Sequence, residues 1–119
     1  MPSGQRSSTP AIHNEIWHAA TTFIEGRVGE LLTVSEVARA ALTSERQLQR
    51  VFAQEGATVR QYISTARMRH AAALAVRTDA SVTEIAGAVG YAHASAFIKA
   101  FRMHHGVTPT QLRRRERLI

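Results

Sequence analysis

Apolar residues recur at every third or fourth position along most of the chain, which is the spacing of amphipathic α-helices. The first such run follows Thr9-Pro10, a pair typical of a helix N-terminus, and continues to about Gly26. No stretch of the sequence alternates apolar and polar residues as a half-buried strand does, so the pattern predicts an all-α protein. Residues 1–9 are polar and rich in serine, and we expect them to form a disordered lead.

Caps mark the starts of the later helices. In a capping box, a hydroxyl residue and a Glu or Gln three positions later accept hydrogen bonds from each other's backbone amides. Such boxes or single hydroxyl caps occur at Thr33, Ser44, Thr58, Ser81 and Thr108. The helix that begins at Thr58 extends to about Arg77 and spans about 30 Å at ~1.5 Å per residue. A further helix is predicted from His93 to His105.

One decamer occurs twice. Residues 33–42 (TVSEVARAAL) and 81–90 (SVTEIAGAVG) are related by a shift of 48 positions, since 81 − 33 = 48. Each copy predicts a short helix, a tight turn and a second amphipathic helix, which is the helix-turn-helix pattern. The predicted divisions are the lead 1–9, a first helix-turn-helix subdomain 10–57, a linker helix 58–77, and a second subdomain 78–119 with a basic C-terminal helix. We expect each subdomain to be a three-helical, homeodomain-like unit.

The second helix of the first motif carries candidate base-contacting residues. Leu48 and Phe52 are predicted to face inward, and a rotation of about 100° per residue places other side chains opposite them. That outward face contains Arg46, Gln49 and Arg50. Arg can pair with guanine and Gln with adenine, each through two hydrogen bonds in the major groove. The alternative is a solvated helix face, which is the usual role of a polar stripe.

The outward face of the second motif is poorer in base-contacting groups. It contains Ser95, Lys99 and Arg102, with His93 at the helix start, and these can bind bases or phosphates. We therefore predict that the first motif carries most of the base discrimination, and that the second adds phosphate contacts and recognition of DNA shape. The predicted phosphate contacts are Thr33, Ser44 and Ser81, through the amides of their helix N-termini, and His93 and Arg102.

The charge balance favours a polyanionic partner. The chain has 15 Lys and Arg against 9 Asp and Glu, a net charge of +6, and all but one of the basic residues are Arg. Arginine suits bidentate contacts with phosphate and guanine. A GC-rich genome could account for the preference for Arg over Lys, but it would not account for the net charge.

Several other classes of protein are disfavoured by the sequence. There is no Cys, and the six His have poor spacing for a metal site, as the adjacent His104 and His105 show. No nucleophile motif, paired carboxylates or Gly-rich phosphate loop occurs, so we predict neither an enzyme nor a cofactor. The N-terminus has no apolar segment typical of a signal peptide, and we expect a cytoplasmic, nucleoid-associated protein.

Residues 28–115 resemble the DNA-binding domain of the AraC/XylS family of bacterial transcription regulators. The matching residues are Ala38, Ser44, Arg46, Leu48, Gln49, Arg50, Phe52, Gly56, Tyr62, Ile63, Arg67, Met68, Ala71 and Leu74, then Ile85, Ala86, Val89, Gly90, Tyr91, Phe97, Phe101, Gly106, Val107, Thr108, Pro109 and Arg113. The resemblance covers roughly three quarters of the chain, and its second half is the more specific.

The resemblance implies two helix-turn-helix motifs on a linker helix, promoter binding, and usually activation through contact with RNA polymerase. It implies that base-contacting positions fall on Arg46, Gln49 and Arg50, and in the second motif on Ala94, Ser95, Ala96 and Lys99. It also implies a structural role for Arg67. Most members carry a sensing or dimerisation domain before this region. The chain is therefore expected to be a monomeric stand-alone regulator, or else a C-terminal fragment of a longer one that could be dimeric.

One departure from the family pattern concerns the first turn. The family commonly has Gly where this chain has Leu42, followed by an apolar residue where it has Thr43. A leucine in the left-handed conformation costs about 1 kcal/mol or more, so we expect this turn to be strained or shaped differently.

The sequence therefore predicts a sequence-specific, double-stranded-DNA-binding transcriptional regulator, more often an activator. A rod of about 30 Å would hold two recognition helices close to one DNA turn, ~34 Å, apart, so that both could enter successive major grooves. Because the two faces differ, the DNA site should be asymmetric. The alternatives are a basic helical module that binds a protein partner, and a non-specific nucleic-acid-binding protein.

Overall fold

The computed structural model describes residues 2–118, with side chains from Pro10 onward. Within that range the chain forms α-helices and no strand, which confirms the all-α prediction. The helices are α1 (Pro2–Glu25), α2 (Val34–Ala40), α3 (Glu45–Gln54), α4 (Val59–Arg77), α5 (Val82–Ala88), α6 (Ala94–His105) and α7 (Pro109–Arg117).

The N-terminal end of the described chain is more helical than the sequence predicted, and the C-terminal helix is basic, as predicted. Helix α1 begins at Pro2, so residues 2–9 differ from the expected disordered lead, and Pro10 lies inside the helix. An interior proline removes one backbone hydrogen bond and crowds the carbonyl four residues earlier, which costs about 3 kcal/mol, so the sequence pattern predicts a helix that starts at Pro10. At the other end, α7 continues through the arginines that follow Leu112 to Arg117. Met1 lies outside the described residues.

The predicted caps of α2 to α5 are present. The Thr33 hydroxyl accepts a hydrogen bond from the Glu36 amide at 3.1 Å, and the Glu36 carboxylate accepts one from the Thr33 amide at 3.2 Å. Equivalent boxes start α4 at Thr58, α5 at Ser81 and α7 at Thr108. Ser44 caps α3 through its hydroxyl alone. These caps satisfy backbone amides that the first helical turn would otherwise leave unpaired.

The chain folds as two compact units, and the division between them falls inside α4. The first unit contains the chain up to Arg27 and Leu32–Tyr62, and the second contains Val28–Leu31 and the chain from Ile63 onward. The role of α4 as a linker between two subdomains therefore stays a prediction.

An aromatic cluster forms much of the core of the first unit. The Trp17 ring lies 4.7 Å from the ring of Phe52 and 5.4 Å from that of Tyr62, and the Tyr62 hydroxyl donates to Glu25 at 2.9 Å. Leu48 and Phe52 are buried, as predicted, together with Val51, and α1 buries Ile16, Ala20 and Ile24. Ile12 and Ala19 of α1 are exposed, because α1 is rotated toward the face that carries Ile24.

The core of the second unit joins α4, α5, α6 and α7. Phe97 and Phe101 are fully buried, with ring centroids 5.7 Å apart. They pack in a cluster with Met68, Ala71 and Ala75 of α4, Ile85, Ala86 and Val89 of α5, and Leu112 of α7. Small residues on α4 allow the aromatic rings to approach its backbone closely.

Arginines of α4 and α7 bind backbone carbonyls of the connections before the two short helices. Arg67 donates from Nε to the Val28 carbonyl at 3.0 Å and from Nη2 to the Glu30 carbonyl at 2.8 Å. Its structural role is therefore confirmed. In the same way, Arg117 donates to the Thr78 carbonyl at 2.7 Å. Arg113 also donates from Nη2 to the Thr78 carbonyl, at 3.1 Å, so two arginines of α7 bind the connection before α5.

The turns of the two motifs have the same hydrogen bonding but different residues. The Thr43 amide donates to the Ala38 carbonyl at 3.0 Å, and the Tyr91 amide donates to the Ala86 carbonyl at 2.8 Å. The residue before each donor has positive φ: Gly90 at 88° and Leu42 at 55°. The expectation that Leu42 makes a strained first turn is confirmed, because a leucine there holds a conformation that favours glycine.

Candidate nucleic-acid interface

Helix α3 has one buried face and one exposed cationic face. Leu48 and Phe52 are fully buried, whereas Arg46, Gln49 and Arg50 are exposed, as the sequence predicted. None of these three side chains makes a hydrogen bond or ion pair with another residue in the described part of the chain. They are therefore available to a ligand that presents hydrogen-bonding edges or negative charge.

Helix α6 has the same arrangement with a weaker set of groups. Phe97 and Phe101 anchor its inward face, while Ser95, Lys99 and Arg102 are exposed. Ala94 is half-buried, so of the four positions implied by the family resemblance it has the least access to a ligand. Ser95, Ala96 and Lys99 keep that access.

The start of α6 differs from the starts of α2, α3 and α5. His93 is its N-cap residue, and its side chain makes no capping hydrogen bond. At Thr33, Ser44 and Ser81, in contrast, the hydroxyl already accepts from the amide three residues later. A phosphate at these three helix starts would therefore have to bind the remaining amides of the first turn.

The capping boxes also place a carboxylate at the N-termini of α2 and α5. Hydrogen bonds from the Ser81 amide and hydroxyl lower the pKa of Glu84 below its usual value, so this exposed group stays ionised at neutral pH. Glu36 occupies the equivalent place in α2. Helix α3 has Glu45 in its first turn, whereas α6 has no acidic residue there. A carboxylate repels phosphate, so electrostatics favour His93 over Thr33, Ser44 and Ser81 as a phosphate contact.

Some basic side chains contact other residues of the protein, and others are exposed without a hydrogen bond or ion pair to a described residue. Arg67, Arg113 and Arg117 bind backbone carbonyls, and Arg27 lies over the Phe23 ring at 4.8 Å. The cations that are exposed and make no hydrogen bond or ion pair with a described residue are Arg39, Arg46, Arg50, Arg60, Arg77, Lys99, Arg102, Arg114 and Arg115. Three of these, Arg39, Arg60 and Arg77, lie outside both the predicted contacts and the predicted basic C-terminal helix, because net charge was their only signal in the sequence.

The histidines near the end of α6 are explained by packing. His105 packs on Phe101, with ring centroids 4.4 Å apart, and its Nε2 lies 3.0 Å from the Met68 carbonyl, which can only accept. Partial desolvation, together with His105 and Arg69, lowers the pKa of His104. Among the described residues there is no group of three or more His, Cys, Asp or Glu that could hold a metal ion.

None of the described helices combines the length and the apolar character needed to cross a bilayer.

Comparisons with known proteins agree with this geometry. Residues 37–115 match a family model described as a helix-turn-helix domain. The chain is 31% identical over 94 residues to the HTH-type transcriptional regulator GadX of Escherichia coli, covering 79% of this chain and 34% of that protein. It spans about a third of the length of the curated relatives that it matches.

Two solved structures share the fold. One is a DNA-binding transcriptional dual regulator from Escherichia coli K-12, with a TM-score of 0.80 and 26% identity, covering 91% of this chain and 94% of that chain. The other is the DNA-binding domain of the global transcriptional factor AdpA in complex with a target DNA. Its TM-score is 0.75 at 28% identity, covering 83% of this chain and 90% of that chain.

Proposed function

Because the chain belongs to the AraC-type family of helix-turn-helix transcriptional regulators, we propose that it binds specific double-stranded DNA and regulates transcription. The observation that carries the proposal is the exposed face of α3, where Arg46, Gln49 and Arg50 have no partner among the described residues. A fold that buries one side of an amphipathic helix and leaves such groups on the other side suits a major groove.

The two recognition helices have unequal roles in this proposal. Arg46 and Arg50 pair with guanine, and Gln49 pairs with adenine, so α3 supplies most of the sequence preference. Ser95 and Lys99 on α6 contact bases or phosphates, and Ala94 contributes little because it is half-buried. Alanine at Arg46 or Arg50 should therefore relax base preference more than alanine at Lys99 or Ser95.

Phosphate contacts hold the protein on the duplex and carry no sequence information directly. His93, whose side chain is not used as a cap, and the exposed Arg102 are the proposed contacts at α6. Thr33, Ser44 and Ser81 are the other proposed helix starts. Each of these helices has a carboxylate in its first turn, Glu36, Glu45 or Glu84, so a phosphate contact there would be weaker than at α6.

The two helices are proposed to enter successive major grooves on one side of the DNA. Support comes from α4, whose 19 residues correspond to about 28 Å at ~1.5 Å each, close to one DNA turn. Because the two exposed faces differ, the site would be asymmetric. A single chain could then bind as a monomer and define a direction along the promoter.

The further biological setting follows from the family alone. We propose that the protein acts in the cytoplasm on the nucleoid and more often activates than represses, through contact with RNA polymerase. If it is part of a longer regulator, the remaining part could provide dimerisation or ligand sensing.

A gel-shift assay with random competitor DNA tests the proposal. After selection of a site from a random DNA library, a band that survives a large excess of competitor supports sequence-specific binding. Equal competition by every DNA would favour a non-specific nucleic-acid-binding protein. No binding even at low salt would contradict the proposal and favour a helical module that docks on a protein partner.

A further inference from the structure

A groove in the first unit connects α3 with the beginning of α4. It is lined by Val34, Gln49, Thr58, Val59 and Arg60. Gln49 is also one of the proposed base-contacting residues, so the groove is continuous with the exposed face of α3. Neither the sequence pattern nor the family resemblance assigned a role to Arg60.

The fold does not use the Arg60 side chain. Arg60 is exposed and makes no hydrogen bond or ion pair with any residue that the structure describes. Its neighbours are all engaged: Val59 is 3% exposed, the Thr58 hydroxyl accepts from the Gln61 amide at 3.0 Å, and the Gln61 side chain accepts from the Thr58 amide at 2.8 Å. The capping box therefore fixes the start of α4, and the unpaired guanidinium of Arg60 lies at the groove.

We propose that this groove binds the sugar–phosphate backbone of DNA beside the bases that α3 contacts, and that Arg60 donates hydrogen bonds to one phosphate. The inference rests on the proposed function and adds a contact to it. Charge complementarity favours this occupant, because Arg60 is the only charged residue that lines the groove in the described part of the chain. The partly exposed apolar side chain of Val34 suits a deoxyribose. Because Gln49 also lines the groove, a DNA strand bound there would lie next to the base that Gln49 contacts.

The caps of α4 and α7 indicate that this contact belongs to the first unit alone. The caps Thr58 and Thr108 start equivalent helices with equivalent boxes, so Arg60 corresponds to Thr110. Thr110 is exposed and carries no charge. It therefore provides a matched control position at the start of α7.

The salt dependence of binding tests the proposal. Each phosphate contact contributes about −0.9 to the slope of log affinity against log salt concentration, so Arg60→Ala should make the slope shallower by about one. At low salt it should weaken binding about tenfold, and equally for the selected site and for random DNA. Arg60→Lys should keep the slope, and Thr110→Ala should change neither slope nor affinity.

Neutralising single phosphates locates the contact. A methylphosphonate at the phosphate that Arg60 binds should weaken binding of the unaltered protein but leave binding by Arg60→Ala unchanged. An unaltered slope for Arg60→Ala, with its thermal unfolding as in the unaltered protein, would overturn the inference while leaving the proposed function in place. If Arg60→Ala lost affinity only for sites with one particular base pair, the inference would also be overturned, since Arg60 would then contact a base. If the unaltered chain bound no DNA at all, the proposed function itself would fail.

Discussion

Leu42 is the residue at which local conformation and amino-acid type disagree most clearly. It has a φ of 55°, and its side chain is 94% exposed. Neither burial nor an apolar contact therefore offsets the steric cost of a left-handed leucine, which is about 1 kcal/mol or more. The turn persists because buried residues on both sides fix the path of the chain, and the equivalent Gly90 follows the same path without that cost.

Replacing this leucine should stabilise the protein. Leu42→Gly is expected to raise the free energy of unfolding by up to about 1 kcal/mol, because glycine adopts positive φ readily. Urea denaturation of the purified variant measures the effect. Leu42→Ala keeps the Cβ and should remain close to the unaltered protein. Equal stabilisation by both variants would show that side-chain exposure, and not backbone conformation, sets the cost.

The sequence located the exposed face of α3 correctly for a simple reason. Leu48 and Phe52 lie four positions apart among polar neighbours, so only one orientation of the helix buries them both. In α1, apolar residues fall on two overlapping faces, and the choice between Ala19 and Ala20 depends on packing against other helices. Arg60 could not be recognised from the sequence, because its groove is built from residues distant in the chain.

The short helices α2 and α5 depend on their caps. Each has seven residues, which is fewer than an isolated helix needs to be stable in water. The capping boxes could be predicted because their residue types and spacing are local. The phosphate contacts could not be predicted with the same precision, because they depend on where the DNA backbone would lie relative to each helix start.

The cap of α5 should make stability depend on pH. The pKa of Glu84 is lowered in the folded state, so its contribution is fully present above the unfolded value of about 4.3 and is lost as the pH falls through the lower, folded value. Glu84→Gln should therefore reduce the free energy of unfolding near neutral pH, and the difference from the unaltered protein should shrink in acid.

Urea titrations between about pH 3 and pH 7 measure this difference. Glu116→Gln is a matched control, since Glu116 is exposed and has no partner among the described residues. A difference for Glu84→Gln that stayed constant across this range would show that the carboxylate charge does not contribute to the cap.

Two glycines of the second unit should respond in opposite directions to alanine. A Cβ at Gly87, inside α5, would have no atom within 4 Å, whereas one at Gly29 would lie 2.6 Å from the Ala88 carbonyl oxygen. Gly87→Ala should raise the free energy of unfolding by about 1 kcal/mol through helix propensity. Gly29→Ala should lower it by about 1–3 kcal/mol through overpacking. Thermal denaturation of both variants measures the contrast, and a stable Gly29→Ala would show that this connection can move.

For the whole protein, the proposed complex predicts a fixed spacing between two protected patches of DNA. A footprint on the selected site should be asymmetric, with patches about one turn apart. Inserting half a turn of DNA between them should remove protection of the patch that α6 contacts, because the proposal requires both helices to enter successive grooves on one side of the DNA. Substitution of the same base pairs without insertion is the control. Protection of both patches at any spacing would show that the two units move independently.

The fold class and the order of the helices could be predicted because the periodicity, the caps and the repeat all agreed. The division into compact units could not, since it depends on contacts between distant parts of the chain. Residues 28–31 precede the first motif in the sequence but belong to the second unit. No local pattern in these four residues indicates where they pack.

That assignment matters for any attempt to dissect the protein. A fragment that began at Ile63 would contain Arg67 but would lack Val28 and Glu30, whose carbonyls accept its hydrogen bonds. Its guanidinium would lose both acceptors, and the surface around Gly90 that contacts Arg67 and Val28 would be uncovered. A fragment cut at the middle of the chain would thus lack residues 28–31, which are part of the second unit. Only a fragment that retains these four residues would contain the complete second unit.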